Sequence, residues 1–274
     1  MRKLNILILL SAFLCLSLPA HAQVITDGSV KTLQTETALK NHGKGRCSAV
    51  MTKGFGGIDP ADDVWQVTAD ENLSEATCYT YTNWHQNKTG YTVMQGDFFF
   101  GDGVSRFMLA TTTHSPVSQK LVSGTHFEPD QWCRLTFIYD GFDNTVDTYC
   151  NEELVDSSYP TVLGTDTYYM ALRMVYYCGA SSKVYLANWR MYETASEPTV
   201  NDELYIENCA HSNIVTVEPG AVVSTAFTLS DPDALVTVYS DNTYSEIKDN
   251  SDSLESGNII ILKNDERIRT YKVA

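Results

Sequence analysis

Trp132-Cys133-Arg134-Leu135-Thr136-Phe137-Ile138-Tyr139, then Asp140-Gly141-Phe142-Asp143-Asn144, then Thr145-Val146-Asp147-Thr148-Tyr149-Cys150: this stretch decides the fold class. In the first run Cys133, Leu135, Phe137 and Tyr139 alternate with Arg134, Thr136 and Ile138. Successive side chains of an extended chain point to opposite faces, so a period of two marks a half-buried strand. Asp, Gly and Asn between the runs make a turn, because they tolerate positive φ or hydrogen-bond their own backbone. The stretch therefore reads as an antiparallel hairpin. Folding it at the turn sets Leu135 opposite Thr148, Phe137 opposite Val146 and Cys133 opposite Cys150. On that register Cys133 and Cys150 share a face, and a cross-strand disulfide between them is expected.

The same alternation continues outward. Val104 to Ala110 sets Arg106 and Met108 against Ser105, Phe107 and Leu109. Met170, Leu172, Met174 and Tyr176 alternate with Tyr169, Ala171, Arg173 and Val175, and Cys78-Tyr79-Thr80-Tyr81-Thr82 is a further strand. No amphipathic helix of ordinary length is present. Many short strands parted by Gly, Asp and Asn predict an all-β sandwich or barrel. A boundary falls at Glu197-Pro198-Thr199. Before it, Lys183 to Tyr192 closes an aromatic-rich region. After it come turn signals at Glu218-Pro219-Gly220 and Asp231-Pro232-Asp233, then a terminal hairpin, Asn258–Leu262 and Arg267–Val273 around Asn264-Asp265-Glu266. Residues 23–197 thus read as one sandwich and 198–274 as a small β module. The alternative is that the tail strands complete the first sandwich.

The 274 residues carry 19 Lys+Arg against 34 Asp+Glu, a net charge of −15. That balance excludes the basic footprint of a nucleic-acid binder and disfavours docking on anionic lipid. Arg2 and Lys3, the apolar run Ile6–Leu18 and Ala20-His21-Ala22 have the three parts of a secretory signal peptide, residues 1–22. The expected location is extracellular, or periplasmic in a Gram-negative source. No later run is long and apolar enough for a membrane helix, so no membrane insertion of the mature form is expected. Six cysteines remain beyond the signal, which allows up to three disulfides, with buried free thiols as the alternative. Neither C-x-x-C nor Cys/His zinc spacing occurs.

Gln131 to Phe137, the acidic turn, and Thr148-Tyr149-Cys150-Asn151-Glu152-Glu153-Leu154-Val155 together resemble the concanavalin A-like or laminin G-like jelly-roll sandwich. Val184 to Tyr192 is similar to that superfamily's closing strand. The likeness spans roughly residues 45–195. The chain departs from the pattern at Cys150, where Val is common, at Glu152, where Gly is common, and at Ala187, where Asp is common. The tail, through Leu254-Glu255-Ser256-Gly257-Asn258 and Tyr271-Lys272-Val273, resembles small bacterial immunoglobulin-like modules. The resemblance implies a lectin- or glucanase-type fold and a glycan ligand.

Retaining glycosidases of this fold place two carboxylates on one strand face, and no such Glu-x-Asp-x-Glu pattern occurs here. The lyase patterns Arg-x-Glu-x-Arg and Gln-Ile/Val-His are also absent. No catalytic residue is assigned. The candidate ligand-binding residues are Arg106, Arg134, Arg173, Tyr177, His126, Tyr79, Tyr81 and Trp84, because cations, imidazole and aromatic rings on strands can recognise sugars. Asp140, Asp143, Asn144 and Asp147 at the hairpin tip are candidate calcium ligands, since calcium seeks several oxygens, although turn chemistry explains them equally. The leading expectation is a secreted, non-catalytic protein that binds a polysaccharide or cell-surface glycan. The alternatives are a divergent lyase or glycoside hydrolase, and an adhesive extracellular protein with a protein partner.

Overall fold

The computed structural model describes residues 31–32, 39–41, 47–58, 62–69, 76–84, 89–110, 117–161, 170–178, 182–200, 204–207, 209 and 212–274. The expected signal peptide lies outside them. The strands are β1 (Lys31–Thr32), β2 (Leu39–Asn41), β3 (Cys47–Lys53), β4 (Asp63–Ala69), β5 (Ala76–Trp84), β6 (Tyr91–Phe100), β7 (Val104–Ala110), β8 (Leu121–Val122) and β9 (Trp132–Asp140). They continue with β10 (Thr145–Cys150), β11 (Glu153–Pro160), β12 (Met170–Cys178), β13 (Lys183–Thr194), β14 (Ile214–Val215), β15 (Leu235–Tyr239), β16 (Ile259–Lys263) and β17 (Ile268–Val273). One 3-10 turn, Val223–Thr225, is the only helical element among the described residues. The chain is all-β.

Three sheets result. The first runs β11-β10-β9-β6-β13-β4-β3, with β1 also paired to β13. The second runs β2-β5-β12-β7-β8, and the third β14-β17-β16-β15. Phe98 and Phe100 of β6, Leu135 and Phe137 of β9, and Leu186 and Trp189 of β13 meet Phe107 and Leu109 of β7 in one apolar core. This core makes a sandwich of the first two sheets.

The third sheet covers the other side of the first. Phe99, Trp132, Tyr185 and Ala187 pack there against Tyr239, Ile259, Ile261 and Ile268. Middle-layer strands have no solvent face, which is why β6 from Thr92 and β9 up to Tyr139 are buried at every position. The Trp132 indole donates to Gly56 O at 2.9 Å, and the Tyr244 hydroxyl donates to Asp130 O at 2.6 Å. Residues beyond 213 thus form one sheet, joined to the sandwich by a shared apolar layer. An immunoglobulin-like module would contribute two sheets of its own.

The central hairpin departs from the expected register. Val146 pairs with Tyr139, Thr148 with Phe137 and Cys150 with Leu135. Asp140 Oδ1 accepts the amides of Phe142 and Asp143 at 2.7 and 3.3 Å, and Asn144 takes φ 58°. That turn lets the strands run on until Asp140 pairs with Thr145, two positions from its expected partner. A shift of two preserves the faces, so Cys133 and Cys150 still share one. They are diagonal neighbours rather than opposite. Both are unbonded, the Cys133 thiol donates to Cys150, and Cys150 Sγ donates to His126 O at 2.9 Å.

Candidate functional site

Strand β7 separates two environments. Phe107 and Leu109 enter the sandwich core, whereas Met108 and Ala110 form a separate small group on the opposite face, with Tyr177 packed against it. Arg106, on the same face as Met108 by alternation, is exposed. The register sets Tyr177 of β12 opposite Arg106, and Arg106 opposite Val122 of β8. The Arg106 guanidinium lies 6.0 Å from the Tyr177 ring centroid, and Lys120 Nζ lies 5.3 Å from it. A ring approached by two cations is held by its quadrupole against them, which leaves the charged groups at the surface. Ser105 Oγ donates to Tyr177 O at 3.3 Å.

Two rows further along, beyond the pair of Val175 with Met108, the backbone pairs Arg173 with Ala110 on one side and with Tyr79 on the other, and Tyr79 pairs with Lys40. Trp84 pairs with Met170 at the far end of β5. A register shift between Ala171 and Arg173 interrupts the ladder on the way, opposite the stretch of β5 that holds Tyr81.

Two candidates leave this group. Arg134 belongs to the first sheet, where alternation turns it away from the sandwich core and β17 then covers it. Its Nε and Nη2 donate to the Asp97 carboxylate at 2.9 and 3.1 Å, with both side chains buried. Asp97 also accepts Asn188 Nδ2 at 2.7 Å and the Ile268 amide at 2.9 Å. His126 sits in the turn after β8, and its Nδ1 accepts the Val122 amide at 2.8 Å. That bond occupies the nitrogen a general base would use and makes the ring a brace for the turn.

Three of the four calcium candidates brace the hairpin itself. Asp140 caps its own turn, the Asn144 amide oxygen accepts Tyr139 and Thr161 hydroxyls at 3.0 and 2.8 Å, and Asp147 accepts the Ser158 amide at 2.6 Å. Among the described residues no three His, Cys, Asp or Glu side chains are grouped to hold an ion.

Lys120 escaped the sequence reading, since it precedes a two-residue strand and carries no pattern of its own. Only the pairing of Val122 with Arg106 brings it to Tyr177. The salt bridges of Glu152 with Arg267, just before β17, and Arg269 of β17 were also illegible, because they join positions more than a hundred residues apart.

A cleft of about 640 Å³ lies elsewhere, between the first and third sheets, lined by Asp62, Asp231, Lys263, Asn264 and Glu266 among others. Lys263 pairs with Asp62, Asn264 Nδ2 donates to Asp231 at 3.0 Å and Arg190 reaches Glu266 at 3.2 Å. The Lys263–Asp62 and Arg190–Glu266 pairs tie the layers together, and the Asn264–Asp231 bond lies within the third.

No family model matches the chain, and no curated protein matches it in sequence. Among solved structures, an exo-β-agarase superposes with TM-score 0.39 and 12% identity, over 61% of this chain and 24% of the agarase. The chain therefore spans about a quarter of that enzyme. The family 11 carbohydrate-binding module of the cellulosomal cellulase Lic26A-Cel5E of Clostridium thermocellum gives TM-score 0.37 and 11% identity over 62% and 97% of the two chains. A family 7 alginate lyase, A1-II′, solved with substrate, gives 0.35 and 9% over 52% and 82%.

Proposed function

We propose that this chain is an exported protein that binds a polysaccharide or cell-surface glycan along its five-stranded sheet, centred on Arg106, Tyr177 and Lys120. The observation that carries the reading is the Tyr177 ring with one cation at 6.0 Å and another at 5.3 Å on an accessible part of that sheet. An aromatic ring flanked by hydrogen-bond donors suits a sugar, whose apolar C–H face packs on the ring while hydroxyl or acidic groups meet the donors. A sheet face suits a polymer. The absence of Asp and Glu from β2, β5, β7, β8 and β12 supports binding over retaining hydrolysis on this sheet, because those strands supply no pair of catalytic carboxylates.

Affinity electrophoresis or calorimetry of residues 23–274 on a glycan panel tests this. Tyr177→Ala should weaken binding by roughly tenfold, with the melting transition retained. Failure to bind any glycan, or binding unchanged in Tyr177→Ala, overturns it. A second reading, a divergent lyase, draws on the same group: two cations to neutralise a uronate carboxylate beside a phenol able to exchange a proton. Ultraviolet absorbance of newly formed unsaturated chain ends, lost in Tyr177→Phe, would select the lyase.

A further inference from the structure

We infer that the glycan is anionic, a polymer bearing uronate carboxylates or sulfate esters. The inference rests on the binding reading above and names its ligand class. Charge is distributed unevenly between the sheets. The strands of the five-stranded sheet carry Lys40, Arg106 and Arg173 and no acid, in a chain with 34 acids and only 19 Lys and Arg. The strands of the first sheet, by contrast, include Asp63, Asp97, Asp140, Asp147, Glu153, Asp156 and Glu193.

Lys120 adds a fourth cation beside the acid-free strands, and both it and Arg106 are exposed. Neither has an acidic partner among the described residues. Most cations of the first and third sheets behave otherwise: Lys53, Arg134, Arg190 and Lys263, with Arg267 just before β17, are each ion-paired, whereas Lys183 and Lys272 are exposed and have no acidic partner among the described residues. Two like charges held at one ring repel, and a bound anion relieves that repulsion. A neutral glycan does not, and it needs hydroxyl partners that either sign of side chain can supply. Carboxylate and sulfate oxygens would accept charge-assisted hydrogen bonds from the guanidinium and the ammonium, about twice as strong as neutral ones. An excess of acid over the whole chain lowers the approach rate of a polyanion, so a cationic sheet is where such a ligand can be held.

Residues 23–274 are tested against chondroitin, which has carboxylate only, dextran sulfate, which has sulfate only, uncharged dextran, and duplex DNA. Each is measured at low salt and at about 0.5 M salt, where screening acts within a few ångströms. The expected result is binding to chondroitin, dextran sulfate or both, weakened roughly tenfold or more by salt. The two anionic arms show which group is recognised. Arg106→Gln combined with Lys120→Gln should lose roughly tenfold in affinity and most of the salt dependence, with an unchanged melting temperature because both side chains are exposed. Dextran bound as tightly, with no salt effect, overturns the anionic assignment and leaves the glycan reading standing. Binding of no glycan overturns both. DNA bound as tightly as the anionic glycans overturns the assignment too, since the sheet would then sort charge and not sugar.

Discussion

At the scale of single residues, Glu152 explains a departure from the lectin-like pattern. The turn between β10 and β11 puts Asn151 and Glu152 at φ 46° and 64°, the left-handed region that favours glycine. Glycine there would relieve about 1 kcal/mol of strain. It would also remove the carboxylate that Arg267 Nη2 reaches at 2.6 Å and Arg269 Nη1 at 3.7 Å, with all three side chains no more than 3% exposed. Losing one partner of a buried pair costs about 3–5 kcal/mol, so the second effect wins. Glu152→Gly should destabilise the protein by a few kcal/mol net in urea unfolding; a gain in stability would contradict the account. The core thiols give two further predictions. Cys133 and Cys150 sit on a diagonal of roughly 7–8 Å between Cα atoms, near the ~6.8 Å limit for a disulfide. A bridge needs the backbone to close by about an ångström, and the hydrogen bond from the Cys133 thiol to Cys150 aims the two groups at each other. Non-reducing peptide mapping of exported protein is expected to find them joined, and two alkylated thiols would refute the bridge. In reductant, the hydrogen bond to Cys150 and burial raise the Cys133 pKa. The folded chain then keeps a proton that the unfolded chain releases near pH ~8.5. The stabilisation is complete below that pH and is lost as pH rises above it. The denaturation midpoint should therefore fall more steeply from pH ~8 to ~10 in the wild type than in Cys133→Ala.

Elements were legible where alternation was uninterrupted and obscured where the backbone slipped. The faces of β7 and β9 read correctly from period two alone. Their partners did not, because the register of the β9–β10 hairpin depends on how Asp140 caps its turn, and neighbouring closures leave the faces unchanged. β13 is harder still. Val184 and Leu186 enter the core, and then so do Trp189 and Met191, which reverses the parity. The pairing with β6 shifts between Ala187 and Arg190, and Asn188 takes φ 50°. A bulge of this kind re-aims the strand and turns the Asn188 amide onto Asp97. The candidate site was legible only in part. Arg106, Arg173 and Tyr177 stood on recognisable strands, whereas Arg134 looked alike in sequence and was removed by a sheet assignment that no local pattern encodes. The junction of layers depends on a glycine turn. A Cβ on Gly57 would stand 2.7 Å from Tyr239 Cε2 and 2.9 Å from Ile261 Cγ1, at φ 85°. Gly57→Ala should cost about 2 kcal/mol or more by thermal unfolding, whereas Gly124→Ala, with open space around its Cβ, should cost only the backbone strain.

Across the whole molecule, the order is five-stranded sheet, first sheet, third sheet. Removing residues 198–274 would uncover Phe99, Trp132 and Tyr185, each worth about 1.5–3 kcal/mol when buried, and would strip Asp97 of the Ile268 amide and Glu152 of the Arg267 guanidinium. Residues 23–197 alone are therefore expected to bind an apolar dye and to melt well below the full chain. Equal melting temperatures would mean that the third sheet is only appended. The layering also gives the molecule a front and a back. Sheets stack ~10 Å apart, so the last β-strand lies some two layers, roughly 20 Å, behind the cations around Tyr177. A sensor surface, a fluorophore or a fused enzyme attached at Ala274 would therefore sit on the far side from the face proposed to bind the glycan, and orientation on a support would present that face outward without further engineering.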